Sequence, residues 1–290
     1  MIVDYVRPTG MDELRQSIGL DSVVVAGGTD LVPLYQAGFV SASRMIDLTS
    51  VPDLARIQHG DDGLTLGATA TMAEVAVRAT GPHAAVADGA RTIGSRQTRN
   101  AATIGGNICR ASPSGDTLAP VLACGGSIII TSTRGGSEIP AEGFFLGPGR
   151  TRLGGDEVVT GIRLPHWATA SAYARTTTRA WMDLATIGVA VALRLTSSGS
   201  HSRVESVRIA VSGAAPTPVL VPMTRVDWTD VPLEELPDLL PELRHAAQNA
   251  VSPIDDVRAS AWYRRRMIGV LLEDVTRKAI ARALDSREES

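Results

Sequence analysis

Apolar positions along the chain fall into short runs of strand length and stretches of helical period, separated by glycines and capping residues. Ser22-Val23-Val24-Val25-Ala26 is a compact apolar run that stops at Gly27-Gly28, the pattern of a buried strand entering a turn. Asp30 predicts a helix start running to about Gly38, and Arg44 to Leu48 predicts another strand. Leu64 to Ala68 alternates after the turn Asp61-Asp62-Gly63. Thr71-Met72-Ala73-Glu74 has the form of a capping box and predicts a helix to about Arg78. Pro82 suits the first turn of a further helix to about Ile93. Residues 94–117 read as turn-rich, Thr117 to Cys124 as helical, and Ser127 to Thr131 as a strand. Glu157 to Leu164 alternates and stops at Pro165.

The character changes near residues 165–171, where a domain boundary is expected. Thr186 to Leu195 is long and strand-like, 197–200 reads as a hairpin loop, and Arg203 to Val211 returns as an alternating strand. Leu233 to Ala250 is helical with interruptions at Pro237 and Pro241. Asp256 is the expected cap of a long amphipathic helix reaching about Leu284. Its predicted core stripe is Trp262, Met267, Val270, Leu271, Val275, Ala279 and Leu284. Arg264, Arg265 and Arg266 are expected on a solvated face or a subunit contact.

Composition narrows the chemistry. The chain has 290 residues, 44% of them hydrophobic, enough for about two soluble domains. Its net charge of −3 offers no general excess of positive charge for nucleic acid or an acidic membrane. No apolar run approaches the ~20 residues of a spanning helix, and the N-terminus lacks a signal-peptide pattern. The cytoplasm is the expected compartment. Lys278 is the only lysine, so a G-x-x-x-x-G-K-[ST] phosphate loop is absent and a Schiff-base lysine is disfavoured. Cys109 and Cys124 are too few for an iron–sulfur cluster or a structural zinc, and no two of the five histidines pair at H-x-x-x-H spacing, so no metal ligand is assigned.

Two segments stand out, Val25-Ala26-Gly27-Gly28-Thr29-Asp30-Leu31 and Thr103-Ile104-Gly105-Gly106-Asn107. Each carries a Gly-Gly pair followed by a small polar residue. Paired glycines permit positive φ and bring backbone N–H groups close to a ligand. Successive N–H groups form a concave nest that suits an anion, and Thr29 and Asn107 can add side-chain bonds. Fixed amide dipoles neutralise a pyrophosphate without a lysine. Either pair alone is also compatible with an ordinary tight turn. Two of them, together with Ala111-Ser112-Pro113-Ser114-Gly115-Asp116, favour a shared dinucleotide-sized ligand. Asp116 reads as a helix N-cap whose carboxylate can also accept bonds from ribityl or ribose hydroxyls.

The segments A-G-G-T-D-L (26–31), T-I-G-G-N-I (103–108), A-S-P-S-G-D-T (111–117), G-D-E-V-V-T-G-I-R-L-P (155–165), R-x-x-x-R-x-x-x-D-L-A (175–185) and R-A-S-A-W-Y-R-R-R (258–266) resemble, in order, the FAD-binding medium subunit of the molybdenum hydroxylases. This is the xanthine dehydrogenase and carbon monoxide dehydrogenase family. The resemblance implies an α+β fold: a two-subdomain FAD-binding domain of the p-cresol-methylhydroxylase type over 1–167. A small α+β C-terminal domain, antiparallel sheet plus helices, would occupy 168–287. It implies that 25–31 and 103–107 hold the FAD pyrophosphate, that Asp116 lies near the cofactor, and that Val158 and Val159 pack near the flavin or adenine. Arg175 falls where relatives often have a lysine, keeping the charge with a different geometry.

The same resemblance implies a small iron–sulfur subunit and a large molybdopterin subunit, in a heterotrimer that dimerises. Electrons would reach FAD from the clusters and leave to NAD, O2 or a quinone. No residue is assigned as catalytic. A stand-alone FAD-dependent oxidase or dehydrogenase acting directly on a small molecule is the alternative, and a module that no longer holds flavin is the third reading. Iron and molybdenum in the purified protein, and a flavin spectrum, separate the three.

Overall fold

The computed structural model describes residues 4–180, 182–198, 201–223 and 231–288. Strands β1 (Asp4–Val6), β2 (Ser22–Val25) and β3 (Arg44–Asp47) form a small parallel sheet in the order β1-β3-β2. Parallel neighbours need crossover connections, and helices α1 (Met11–Ser17) and α2 (Leu31–Gln36) lie in them. Leu14, Ile46, Leu48 and Leu54 form the core of this unit, joined by Val158 from much later in the chain.

The second unit is an antiparallel sheet with helices on one face. Its strands are β4 (Ile57–Gly60), β5 (Gly63–Gly67), β6 (Ser127–Ser132), β7 (Gly135–Pro140) and, after the short ribbon β8 (Phe145–Gly147) and β9 (Arg150–Thr151), β10 (Glu157–Pro165). The order is β4-β5-β10-β6-β7. Between β5 and β6 run α3 (Met72–Arg78), α4 (Ala84–Thr92), α5 (Arg96–Ala101), α6 (Ile104–Arg110) and α7 (Leu118–Ala123). Thr71 and Glu74 close the predicted capping box reciprocally at the start of α3. Leu66, Ile128, Ile130 and Ile162 from the sheet meet Val75, Val86, Ile104 and Leu118 from the helices in one core. The stretch 94–117, expected as turns, instead holds α5 and α6. Ser95 and Thr103 cap them, each side-chain oxygen accepting an amide from the first turn.

The third unit is the antiparallel sheet β11 (Ala170–Thr176), β12 (Ile187–Ser198), β13 (His201–Ser212), β14 (Val219–Leu220), with β15 (Val231–Pro232) beside β13. Of the expected hairpin loop, 199–200 lies outside the described residues. Helix α8 (Leu240–Asn249) follows a 3-10 segment that contains Pro237, and Pro241 sits in its first turn, where the missing N–H costs nothing. Helix α9 (Ala261–Glu288) is the last element among the described residues. Ile187, Val189, Val191 and Leu193 of β12 face α8 and α9. Ala190 and Ala192 on the opposite side join the core of the second unit. A sheet buried on both faces reads as a near-continuous apolar run. The small residues let α4 and α7 approach closely. The arrangement is the expected α+β architecture.

Helix α9 corrects three expectations. Its buried stripe is Ile268, Leu271, Leu272, Val275, Ala279 and Ala283, whereas Trp262, Val270 and Leu284 are exposed. Arg264 is not on a solvated face: it is buried, donating to the carbonyls of Thr186 and Gly213 and to the Asp256 carboxylate. Asp256 does not cap the helix. Ser260 does so, its Oγ accepting the Tyr263 amide, while Asp256 ties down the approach through the amides of Arg258 and Ala259.

Candidate functional site

The loop after β2 lies against the second unit. Gly28 has φ +67°, a conformation that favours glycine. A Cβ on Gly27 would lie 1.9 Å from the carbonyl oxygen of Ala101, so the loop rests directly on the end of α5. Val25 is buried at the strand end, and Thr29 and Asp30 are exposed. Among the described residues, no protein acceptor receives the amides of Gly27, Gly28, Thr29 or Asp30. Helix α2 starts just beyond, with Val32 N–H bonded to Gly28 O at 2.9 Å. Asp30 forms no side-chain cap, and Leu31 is the first helical residue. Four unpaired amides at a bend are of the kind that can cradle an anion.

The second glycine pair differs from the open nest its sequence suggests. Gly105 and Gly106 lie in the first turn of α6, and their amides are already used. Ile104 N–H donates to Ala70 O, Gly105 N–H to Ala68 O at 2.9 Å, and Asn107 N–H to Thr103 O. Gly106 N–H donates to Thr103 Oγ1. Gly105 is required because a Cβ would meet Ala68 O at 2.6 Å. This segment offers the neighbouring loop a capped helix terminus rather than a row of free amides. Since Ala101 and Ala102 lead directly into Thr103, the two segments do meet.

Asp116 lies behind them, buried. It does not cap α7, whose N-cap is Thr117 without a side-chain bond. Asp116 Oδ1 accepts the Tyr173 hydroxyl at 2.8 Å, and Oδ2 accepts Arg175 Nη1 at 2.7 Å. Arg175 Nη2 donates to Thr92 O. Burial lifts the Asp116 carboxyl to about 6, against the pull of the Arg175 guanidinium and the Tyr173 hydroxyl. Burial and the adjacent carboxylate hold the Tyr173 hydroxyl well above its usual value, so it is a donor throughout the physiological range. Thr117 Oγ1 donates to Asn107 Oδ1 at 2.6 Å, joining this cluster to α6. The C-terminal unit reaches the same place through Gly213 N–H to Pro113 O and Arg258 to Ser114 Oγ.

Val158 and Val159 are 3% exposed, their side chains committed to the cores of the first and second units respectively. What they can offer a ligand is backbone, at the bulge between Val159 and Gly161. Sequence reasoning missed Tyr173. Its i, i+2 relation to Arg175 in a strand puts both on one face, which was the available signal. It also missed Ala68 and Ala101, the two carbonyl positions that demand glycine opposite them.

No group of three or more His, Cys, Asp or Glu suited to a metal ion occurs among the described residues. Burial pushes the Cys109 thiol up to about 12 and the Cys124 thiol to about 11. No helix among the described residues is long and apolar enough to cross a membrane.

Comparison with known proteins places the chain among its relatives. Residues 1–167 match the FAD binding domain in molybdopterin dehydrogenase, and residues 172–279 match the CO dehydrogenase flavoprotein C-terminal domain. The nicotine 6-hydroxylase medium subunit of Paenarthrobacter nicotinovorans is 31% identical, over 97% of this chain and 98% of that protein. The xanthine dehydrogenase FAD-binding subunit of Escherichia coli O157:H7 is 30% identical, over 90% of this chain and 89% of that one. A solved carbon monoxide dehydrogenase from Hydrogenophaga pseudoflava superposes with a TM-score of 0.81 at 27% identity, covering 97% of this chain and 98% of that one. With matches of this extent on both of its parts, the chain belongs to the FAD-binding medium-subunit family of the molybdenum hydroxylases, a family of oxidoreductases.

Proposed function

We propose that the chain is the electron-transfer subunit of a molybdenum hydroxylase complex, taking electrons from iron–sulfur clusters and passing them to NAD or another acceptor such as O2 or a quinone. The observation that carries this reading is the loop of four unpaired amides at Gly27–Asp30, seated on Ala101 beside the N-terminus of α6. FAD supplies the junction between one-electron and two-electron chemistry when bound.

The chain's own residues bind and orient. The amides of Gly27, Gly28, Thr29 and Asp30 would receive the diphosphate without any lysine. Thr103 and Asn107 would fix the α6 side of the same site. Asp116 would accept from ribityl hydroxyls, held in place by Arg175 and Tyr173. Division into an FAD-binding part over 1–167 and a C-terminal part over 168–287 fits this use, because the second part supplies Tyr173 and Arg175. A small iron–sulfur subunit and a large molybdopterin subunit are the partners of the heterotrimer, itself dimerised, with the cytoplasm as its place.

Expression of the chain with the genes that neighbour it tests the reading. The expected product absorbs near ~450 nm, as bound flavin does, and co-purifies with iron and molybdenum. Flavin without either metal would transfer the assignment to a stand-alone oxidase or dehydrogenase. Colourless protein that stays empty in excess FAD would overturn both.

A further inference from the structure

The C-terminal helix is tied to the Asp116 cluster by a chain of partly buried polar contacts that the function above does not use. Asp88 on α4 is 7% exposed and receives both Nη atoms of Arg282 on α9, at 2.7 and 2.9 Å. Lys278, one turn earlier on the same helix, stands 3.2 Å from the same carboxylate. Arg282 Nη1 also donates to Ser171 O at 2.8 Å. The Tyr173 amide donates to Asp88 Oδ2 at 3.1 Å. Tyr173 is thus pinned at both ends, its amide on Asp88 and its hydroxyl on Asp116. Two residues further along the same strand, Arg175 pairs with the other Asp116 oxygen, and Arg91 stands 3.4 Å from Asp88.

We infer that Asp88, Arg282 and Tyr173 are positioning residues, a relay through which the docked C-terminal helix sets the Asp116 carboxylate that would accept the ribityl hydroxyls of FAD. The inference rests on the flavin reading of Asp116. Two features make it specific. A fork–fork Arg–carboxylate pair fixes orientation as well as distance. Tyr173 is wedged from the other side by Gly188, where a Cβ would lie 2.3 Å from the Tyr173 hydroxyl, so the ring has one place to sit.

A double-mutant cycle in the full-length chain tests it. Arg282→Gln, Tyr173→Phe and the double variant are titrated with FAD by fluorescence quenching, and the flavin midpoint potential is measured in each. Tyr173→Phe keeps the packing and removes one bond to Asp116; because that bond reaches FAD only through Asp116, part of its worth shows at the cofactor, and affinity should fall about three- to tenfold. Arg282→Gln should fall similarly, and the double variant should lose little more than either. Both should move the potential in the same direction. Leu272→Ala on the same helix, a core truncation outside the relay, should lower the melting temperature and leave affinity and potential at the wild-type values while folded. Strict additivity, or an equal effect of Leu272→Ala, would overturn the relay. Tyr173→Phe decides the matter even where Arg282→Gln fails to fold. Wild-type chain that takes up no FAD sinks the flavin reading and the relay with it, whereas tight wild-type binding with unchanged variants sinks the relay alone.

Discussion

Gly27→Ala is the most direct test of the diphosphate loop. The new Cβ would fall 1.9 Å from Ala101 O, 2.7 Å from Ala101 C and 3.0 Å from Ala102 Cα, all backbone atoms that cannot rotate away. Ordinary contact begins at 3.4 Å, so loop and helix end must part by about 1.5 Å. Such a shift lengthens a normal amide–oxygen contact beyond the range of a hydrogen bond. Amide bonds to a charged acceptor are each worth about 1.5–3 kcal/mol net. Losing the alignment of two, with partial relaxation, costs about 2–4 kcal/mol, or roughly 30- to 1,000-fold in FAD affinity. Overpacking itself would lower fold stability by about 1–3 kcal/mol. Calorimetric titration with FAD, beside a urea melt, reads both quantities. Gly19→Ala, where nothing lies within 4 Å of the added carbon, is the control and should bind normally. A Gly27→Ala protein that binds FAD within twofold of wild type would refute the account, because the clash leaves no route to an unchanged loop.

Thr71→Ala removes the capping box of α3 and should cost about 1 kcal/mol in a denaturant melt, with FAD binding unchanged. Arg264→Met leaves Asp256 and the carbonyls of Thr186 and Gly213 without their shared donor. With Asp256 exposed, the loss comes from the two orphaned buried carbonyls and is expected at about 2–4 kcal/mol, seen as an early thermal transition. Both thiols, with Cys109 at about 12 and Cys124 at about 11, should resist an aromatic disulfide reagent at neutral pH and react once the chain is denatured. Two buried groups titrate with opposite sign. The folded Asp116 carboxyl keeps its proton to about 6 against an ordinary 3.8, so its contribution to stability falls as pH rises through that window. Folded His83, its ring accommodated against Pro165 and depressed by burial from 6.5 to about 4, contributes stability that is lost as pH falls through that range. The two slopes oppose each other between about 4 and 6. Asp116→Asn should therefore make stability rise with pH more steeply than wild type, by up to about 1.4 kcal/mol per pH unit, and His83→Gln should shift the slope the other way. Urea midpoints across that interval check the signs, and parallel curves for all three proteins would refute both assignments.

The strands were legible because their signals are local. Ser22–Val25, Ser127–Ser132 and Glu157–Pro165 are bounded by glycine or proline and carry enough β-branched residues to decide the matter. The Thr71–Glu74 box was legible for the same reason: its partners are three residues apart. What failed was whatever depended on a distant partner. Gly105-Gly106 has the letters of an open turn, yet Thr103 in front and the Ala68 carbonyl opposite fold it into a helix that needs glycine for clearance. On helix α9 the predicted Leu271, Val275 and Ala279 are buried, but Trp262, Val270 and Leu284, with more apolar weight, are exposed while Arg264 and Thr276 are buried. Arg264 turns inward because Thr186 and Gly213 present carbonyls there, a fact set by a hairpin about fifty to eighty residues upstream. The candidate site divides in the same way. Gly27 and Gly28 announce themselves in the sequence, while the setting of Asp116 is made by Tyr173 and Arg175 from another unit. A pyrophosphate loop is a property of a few consecutive residues. A buried carboxylate held at a chosen angle is a property of how two domains dock, and only the fold supplies it.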